Sequence, residues 1–151
     1  MLDKLDGRIA ELVAGKSVLL RDAASAMAAA ALDGSINSYY RSAKNGLAGL
    51  AVEAHLDALE SISPFLTALF AMHERVRPFN RFLRWELETF PLDGDHWAAH
   101  ALLPRLERIA ARGAIGEQQR LFRDVEAVAR ERSLGHVVDG WEPDVGFLRG
   151  S

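Results

Sequence analysis

The stretch LDGSINSYYRSAKNGLAGL, residues 32–50, decides how the chain is to be read. Asp33-Gly34 and Asn45-Gly46 are turn-forming pairs, and taken alone they would divide the segment into short pieces. At 100° per residue, however, Leu32, Ile36, Tyr39, Ala43, Leu47 and Leu50 fall within an arc of about 80°. One apolar stripe that survives both glycines predicts a single long helix across them, each glycine costing about 1 kcal/mol relative to alanine. Upstream, the Ala-rich run Ala23–Ala31 continues the same helix, with Asp22 as its expected N-cap. Past Ala54 the apolar residues Leu56, Leu59 and Ile62 move to another face, so a bend or break is expected near residues 50–55.

The rest of the chain reads in the same helical period. Leu2, Leu5, Ile9 and Leu12 predict a short amphipathic helix over residues 2–13, closed by Gly15. Ser63-Pro64 has the form of a cap followed by a first helical residue, opening a helix through Phe65, Leu66, Leu69, Phe70 and Met72. Pro78 is expected to start another, ended by Pro91 after Phe90, with Leu92–Asp95 as a loop. His96–Arg112 and Gly116–Ser133 follow, with Gly113 and Gly135 as their stops and with Pro104 either kinking the former or delaying its start. The tail from His136 to Ser151 shows no clear period.

Composition agrees. Among 151 residues there are 24 Ala and 21 Leu against 9 Val, 5 Ile and 2 Thr, a helix-forming balance. The expected fold is all-α: a single helical domain over residues 1–151, a bundle of about five to six helices with one long central helix and an irregular C-terminal tail. With 49% apolar residues and a net charge of −3, disorder is excluded. No cysteine is present, which rules out a disulfide scaffold. The acidic start MLDKLDGRIAEL lacks the form of a signal peptide, and no apolar run spans a membrane, so a cytoplasmic location is expected. A mildly acidic chain is a poor partner for nucleic acid.

Two segments concentrate polar groups. In RPFNRFLRWELETF, residues 77–90, Phe79, Phe82, Leu83, Leu87 and Phe90 share one helical face, while Arg77, Asn80, Arg81, Arg84 and Glu88 share the other. Glu86 falls inside the apolar stripe, where a carboxylate must be paired, protonated or turned to a cleft. Either a structural ion pair or a ligand-facing carboxylate satisfies that condition. In INSYYRSAKN, residues 36–45, the face opposite the stripe carries Asn37, Arg41, Lys44 and Asn45, with Tyr40 at its edge. No acid stands between Gly34 and Val52, so this face could receive phosphate or an acidic surface. Weaker signals are His96 and His100 at i, i+4 spacing beside Asp93 and Asp95, and Arg130 and His136 with the R-x5-H spacing of HEPN-class RNases. No G-x-S-x-G and no phosphate-loop motif occurs.

Read together, AALDGSINSYYRSAKN, the Leu/Phe-rich helix at 65–72, RVRPFNRFLRWELETFPL and the tail segment GHVVDGWEPD resemble the all-helical C-terminal domain of bacterial nucleotidyltransferase-like proteins, relatives of the aminoglycoside nucleotidyltransferases. In that family a mixed α/β catalytic domain carries a Gly-Ser turn followed by a D-x-D metal pair. Here Gly34-Ser35 lies in helical sequence and Asp93-Gly94-Asp95 in a loop about sixty residues later, so the chain resembles the helical half without the catalytic half. The resemblance implies a substrate- or nucleotide-binding domain that is inactive alone, holds no metal, and meets Mg-ATP only together with a catalytic partner domain. It makes Arg41 and Lys44 candidates for phosphate contacts and places Asn80, Arg81, Arg84 and Glu86 toward an acceptor. The competing expectation is an interaction module that docks an acidic protein, a separate transferase or its own copy, through the Arg-rich face.

Overall fold

A computed structural model describes residues 20–151 and, ahead of them, Arg8 alone. The expected helix over residues 2–13 therefore lies outside the described residues. Seven α-helices and no strand are found among the described residues, so the all-α expectation holds. They are α1 (Arg21–Leu47), α2 (Ala51–Met72), α3 (Leu83–Thr89), α4 (Ala99–Arg112), α5 (Ile115–Glu131), α6 (Gly135–Asp139) and α7 (Val145–Arg149). Single 3-10 turns at Asn80–Phe82 and Asp95–Trp97 precede α3 and α4. No helix among the described residues is long and apolar enough to cross a membrane.

The long helix runs through Gly34 as the stripe requires, and Leu32, Ile36, Tyr39 and Ala43 are buried along it. The stripe stops there: Leu47 and Leu50 are exposed. The chain reverses at 48–50, slightly ahead of the expected break. Gly49 adopts φ 77°, and the Leu50 amide donates back to the Asn45 carbonyl (2.9 Å). Asp22 is not the N-cap. That position belongs to Leu20, and Asp22 sits in the first turn, where its charge still complements the helix dipole.

α2 returns antiparallel to α1 along a seam of small side chains. Ala24, Ala28, Ser35, Ser38, Ser42 and Ala43 of α1 and Ala58, Ser61, Ala68 and Ala71 of α2 are all buried. Ser42 donates to the Ala54 carbonyl (2.7 Å) and Ser35 to the Ser61 carbonyl (3.3 Å), which fixes the register. Ser63-Pro64 does not start a helix; Pro64 lies inside α2. A proline there removes one helical hydrogen bond, a change usually costly in a helix interior. Neighbouring carbonyls instead meet side-chain donors: Ser35 reaches Ser61, while Thr67 (3.2 Å) and Arg77 (2.9 Å) reach Ser63.

Beyond α2 the chain stays extended through Pro78, and α3 begins five residues later than expected. Only Leu83 and Leu87 of its expected apolar face are buried; Phe79, Phe82 and Phe90 are exposed. α4 starts at Ala99, not His96, and contains Pro104. It ends as expected at Gly113, whose φ is 59° and where a Cβ would come within 3.2 Å of the His55 backbone, so only glycine fits. After α5 the left-handed residue is Ser133 (φ 62°), and Gly135 opens α6 instead of ending α5. A Cβ at 135 would meet the Arg130 guanidinium at 2.9 Å, so this glycine makes room for a side chain.

The tail is not irregular. α6 and α7 insert Val138, Val145 and Leu148 into the core, all fully buried beside Phe70, Leu32, Ile36 and Leu102. Tyr39 donates its hydroxyl to the Leu148 carbonyl (2.7 Å) and packs on Phe122 (5.8 Å between ring centres), while burial raises the Tyr39 hydroxyl above its ordinary value. Trp97, also fully buried, packs on Phe65. Each such buried side chain contributes about 1.5–3 kcal/mol.

Leu148→Ala is expected to cost about 2–5 kcal/mol in urea unfolding, because the void cannot close against Tyr39 and the two long helices. Gly34→Ala should do the opposite. Its Cβ would lie 3.9 Å from the Pro64 Cβ, an ordinary contact, so the helix gains about 1 kcal/mol with no clash. A melting temperature below that of the parent chain would contradict this.

Candidate functional site

The donor face at residues 36–45 does not stand free. Acids missing from α1 itself are supplied by α2: Arg41 donates to Asp57 (3.1 Å) and to Glu60 (2.7 Å), and Asn45 donates to the second Asp57 oxygen (2.8 Å). Tyr40 packs on Trp141 (5.6 Å), and Lys44 lies over the rings of Tyr40 (5.5 Å) and Phe147 (6.0 Å). Trp141 also donates to Asp33 (3.0 Å). The C-terminal tail thus lies against this side of α1, and Asn37 alone of the five candidates is exposed without such a contact. Charges counted along one helix omit those arriving from its neighbour.

Glu86 resolves as an ion pair. Its carboxylate, 16% exposed, accepts from Arg75 (2.6 Å), and Arg75 also donates to the Phe90 carbonyl (2.6 Å) and lies over the Phe70 ring (5.3 Å). Arg77 is likewise occupied. It donates to the Ser63 carbonyl and hydroxyl (2.9 and 2.6 Å) and to the Asn80 side chain (2.6 Å), and burial lowers its guanidinium from the ordinary value. Arg75 and Arg77 therefore pin the extended segment to α2.

Arg81 and Arg84 differ. They make no ion pair among the described residues, and Arg81 lies over the Phe82 ring (5.9 Å). With Asn80 they border a shallow groove of about 440 Å³ whose other wall is His100, Pro104 and Glu107 of α4. Beside them stand Phe79 (83% exposed), Trp85 (56%), Phe90 (54%) and Phe82 (50%), with Trp85 meeting Phe90 edge-on at 5.9 Å. Four exposed aromatic rings thus stand within twelve residues, interleaved with two guanidiniums that make no ion pair among the described residues. The segments 36–45 and 77–86 line no common cavity among the described residues, so the two candidate sets are separate surfaces.

A third cluster was not legible from either segment. Between α4 and α5, Glu117 accepts from Arg105 (3.1 Å), Arg108 (2.9 Å) and Arg120 (2.8 Å), and Arg105 also pairs with Asp124 (2.8 Å). Burial alone would push the Glu117 carboxyl up. The guanidiniums of Arg120, Arg108 and Arg105 together outweigh it and hold the group at about 2. At the other end of α5, Arg149 holds the Glu126 carboxyl below its ordinary value against the effect of burial, with Arg130 adding to the pull. The i, i+3 and i, i+12 spacings of this network are visible in sequence only once α4 and α5 are known to pair.

Among the weaker signals, His96 stands 3.9 Å from the Asp124 carboxylate. Among the described residues no group of three or more His, Asp or Glu side chains is placed to hold a metal ion. Arg130 is engaged by Glu126 (2.8 Å) and Asp139 (2.7 Å), while His136 is exposed. No protein-family model, curated protein or solved structure matches the chain.

Because Glu117 is depressed, the stability it contributes is complete above its ordinary 4.5 and is lost as pH falls through about 2. Glu117→Gln should cost about 3 kcal/mol at pH 7 by removing the buried carboxylate that three guanidiniums share. Urea unfolding of parent and variant should converge between those two pH values, and a difference that persists unchanged at pH 2 would refute the pairing.

Proposed function

We propose that this chain is a helical docking domain that binds an acidic partner protein through the face built by Phe79, Phe82, Trp85, Arg81 and Arg84. The observation that carries the reading is the exposure of those rings beside two guanidiniums that make no ion pair among the described residues. Aromatic and arginine side chains dominate the energetic centres of protein interfaces, because they bury large areas at low entropic cost and pair with carboxylates in a fixed geometry. An acidic partner supplies what Arg81 and Arg84 lack. Of the other charged candidates, Arg41, Arg77 and Glu86 already have partners within the chain.

The resemblance to nucleotidyltransferase-like helical domains gives that partner a first identity to test: a nucleotidyltransferase catalytic domain supplied in trans. On this reading the chain positions or completes another protein's site and performs no transfer itself, and Mg-ATP is held with the partner.

Binding to a separately produced nucleotidyltransferase catalytic domain, followed by calorimetry, is the direct test. Trp85→Ala and the double change Arg81→Glu with Arg84→Glu are each expected to weaken it at least tenfold, about 1.4 kcal/mol, with unchanged circular dichroism. Undiminished affinity in the charge-reversed protein would remove the docking face from consideration. Self-association through the same rings, seen by ultracentrifugation and abolished by Trp85→Ala, would replace the acidic partner with a second copy.

A further inference from the structure

Around α4 from the docking face, with His100 at the edge of both grooves, the chain holds a cluster of guanidiniums in excess of what its ion pairs require. An open groove of about 680 Å³ separates α4 from α5, with Arg105 and Arg108 on one wall and Arg120 and Arg123 on the other. Its mouth carries His96 and His100, both exposed. Three carboxylates face these four guanidiniums, and they are unevenly used. Glu117 alone takes Arg105, Arg108 and Arg120, while Asp124 takes the second edge of Arg105 and stands 3.9 Å from the His96 ring. Arg123 is turned to the Arg149 carbonyl at the end of α7.

Arg108 and Arg120 are 52% and 58% exposed, and each spends a single donor on Glu117. A guanidinium has five N–H donors in a rigid plane, so both retain an unspent edge. Glu117 and Arg105 lie behind them, 4% and 11% exposed, and anchor the pair. A fork held from behind by a buried carboxylate has lost part of its rotamer entropy before any ligand arrives, which lowers the cost of binding. This excess of positive charge sits in a chain whose net charge is −3.

We infer that the groove is an oxyanion site, in which Arg108 and Arg120 grip a phosphate group while Glu117 and Arg105 fix their orientation. Planar guanidiniums match the oxygens of a phosphate two at a time, and the groove is large enough for a phosphate ester as well as the free ion. The site borders the docking groove at His100, but its gripping residues, Arg108 and Arg120, are distinct from Arg81 and Arg84.

Titration with inorganic phosphate and with AMP, read by the Nε–Hε resonances of the arginines, tests it. Saturable shifts are expected at Arg108 and Arg120. Arg108→Gln with Arg120→Gln should weaken binding at least tenfold. Should that double change unfold the chain, Arg108→Lys and Arg120→Lys singly keep the charge but lose the planar fork, and several-fold losses are expected from each. Tighter binding of AMP identifies a phosphate ester as the ligand; equal affinities identify free phosphate. Shifts that do not saturate, or that survive in the variants, would overturn the site. The charge-reversed docking variant, Arg81→Glu with Arg84→Glu, should bind phosphate as the parent does, so the two readings can fail separately.

Discussion

The close antiparallel contact of α1 with α2 is the constraint on which the remaining helices depend. Two long helices approach along many turns only if the residues between them are small, and here the seam is alanine and serine almost throughout. Alanine costs no side-chain entropy on burial, and each seam serine must then find an acceptor. Ser35 and Ser42 find theirs on the carbonyls of the opposite helix, so the same residues that permit approach also set the register. With the seam filled by small groups, the large side chains are displaced to its sides. Leu32, Ile36 and Tyr39 on α1 and Phe65, Leu69 and Phe70 on α2 form the floor on which α4, α5 and the tail are laid.

Charge is then distributed to hold those later elements in place. α5 presents buried carboxylates toward opposite neighbours, Glu117 toward α4 and Glu126 toward the tail. Neither would be tolerated alone, since an unpaired buried carboxylate costs several kcal/mol. Each is paired with an arginine of α5 itself and with guanidiniums from another element, so the ions act as orientation devices for packed helices more than as a source of net stability. Glu126 joins Arg130 of its own helix to Arg149 of α7, and Arg130 reaches on to Asp139 of α6. The arginine excess of the composition is spent largely on such cross-element ties.

Much of this organisation was legible in the sequence, and its failures have a common cause. Periodicity within one helix carried the passage of α1 through Gly34 and the stop at Gly113, because both depend on local geometry. Pro64 and Gly135 misled because their local meaning was overruled from outside. Side chains far along the chain meet the carbonyls around the proline, and the Arg130 side chain occupies the space where a Cβ at 135 would stand. The tail lacked a visible period because Val138, Val145 and Leu148 belong to two five-residue helices, each too short to show a stripe. For the candidate site the same logic holds. The residue types were found in Arg81 and Arg84, but Arg41, Arg77 and Glu86 could not be recognised as paired until Asp57, Ser63 and Arg75 were placed beside them.

The exposed rings at 79–90 follow from the same division between local and tertiary forces. A helix of seven residues offers barely two turns, and α3 uses Leu83 and Leu87 to reach the core. Its remaining apolar residues must then point away, while Arg77 holds the preceding strap to Ser63 of α2 and Arg75 ties it to Glu86 and the Phe90 carbonyl. Burying Phe79 and Trp85 would be worth several kcal/mol to the chain. Those rings are instead kept at the surface by an extended segment whose arginines are committed elsewhere. Under the proposed docking, the apolar energy forgone within the chain would be available to a partner, and Arg81 and Arg84, which make no ion pair among the described residues, would select an acidic one.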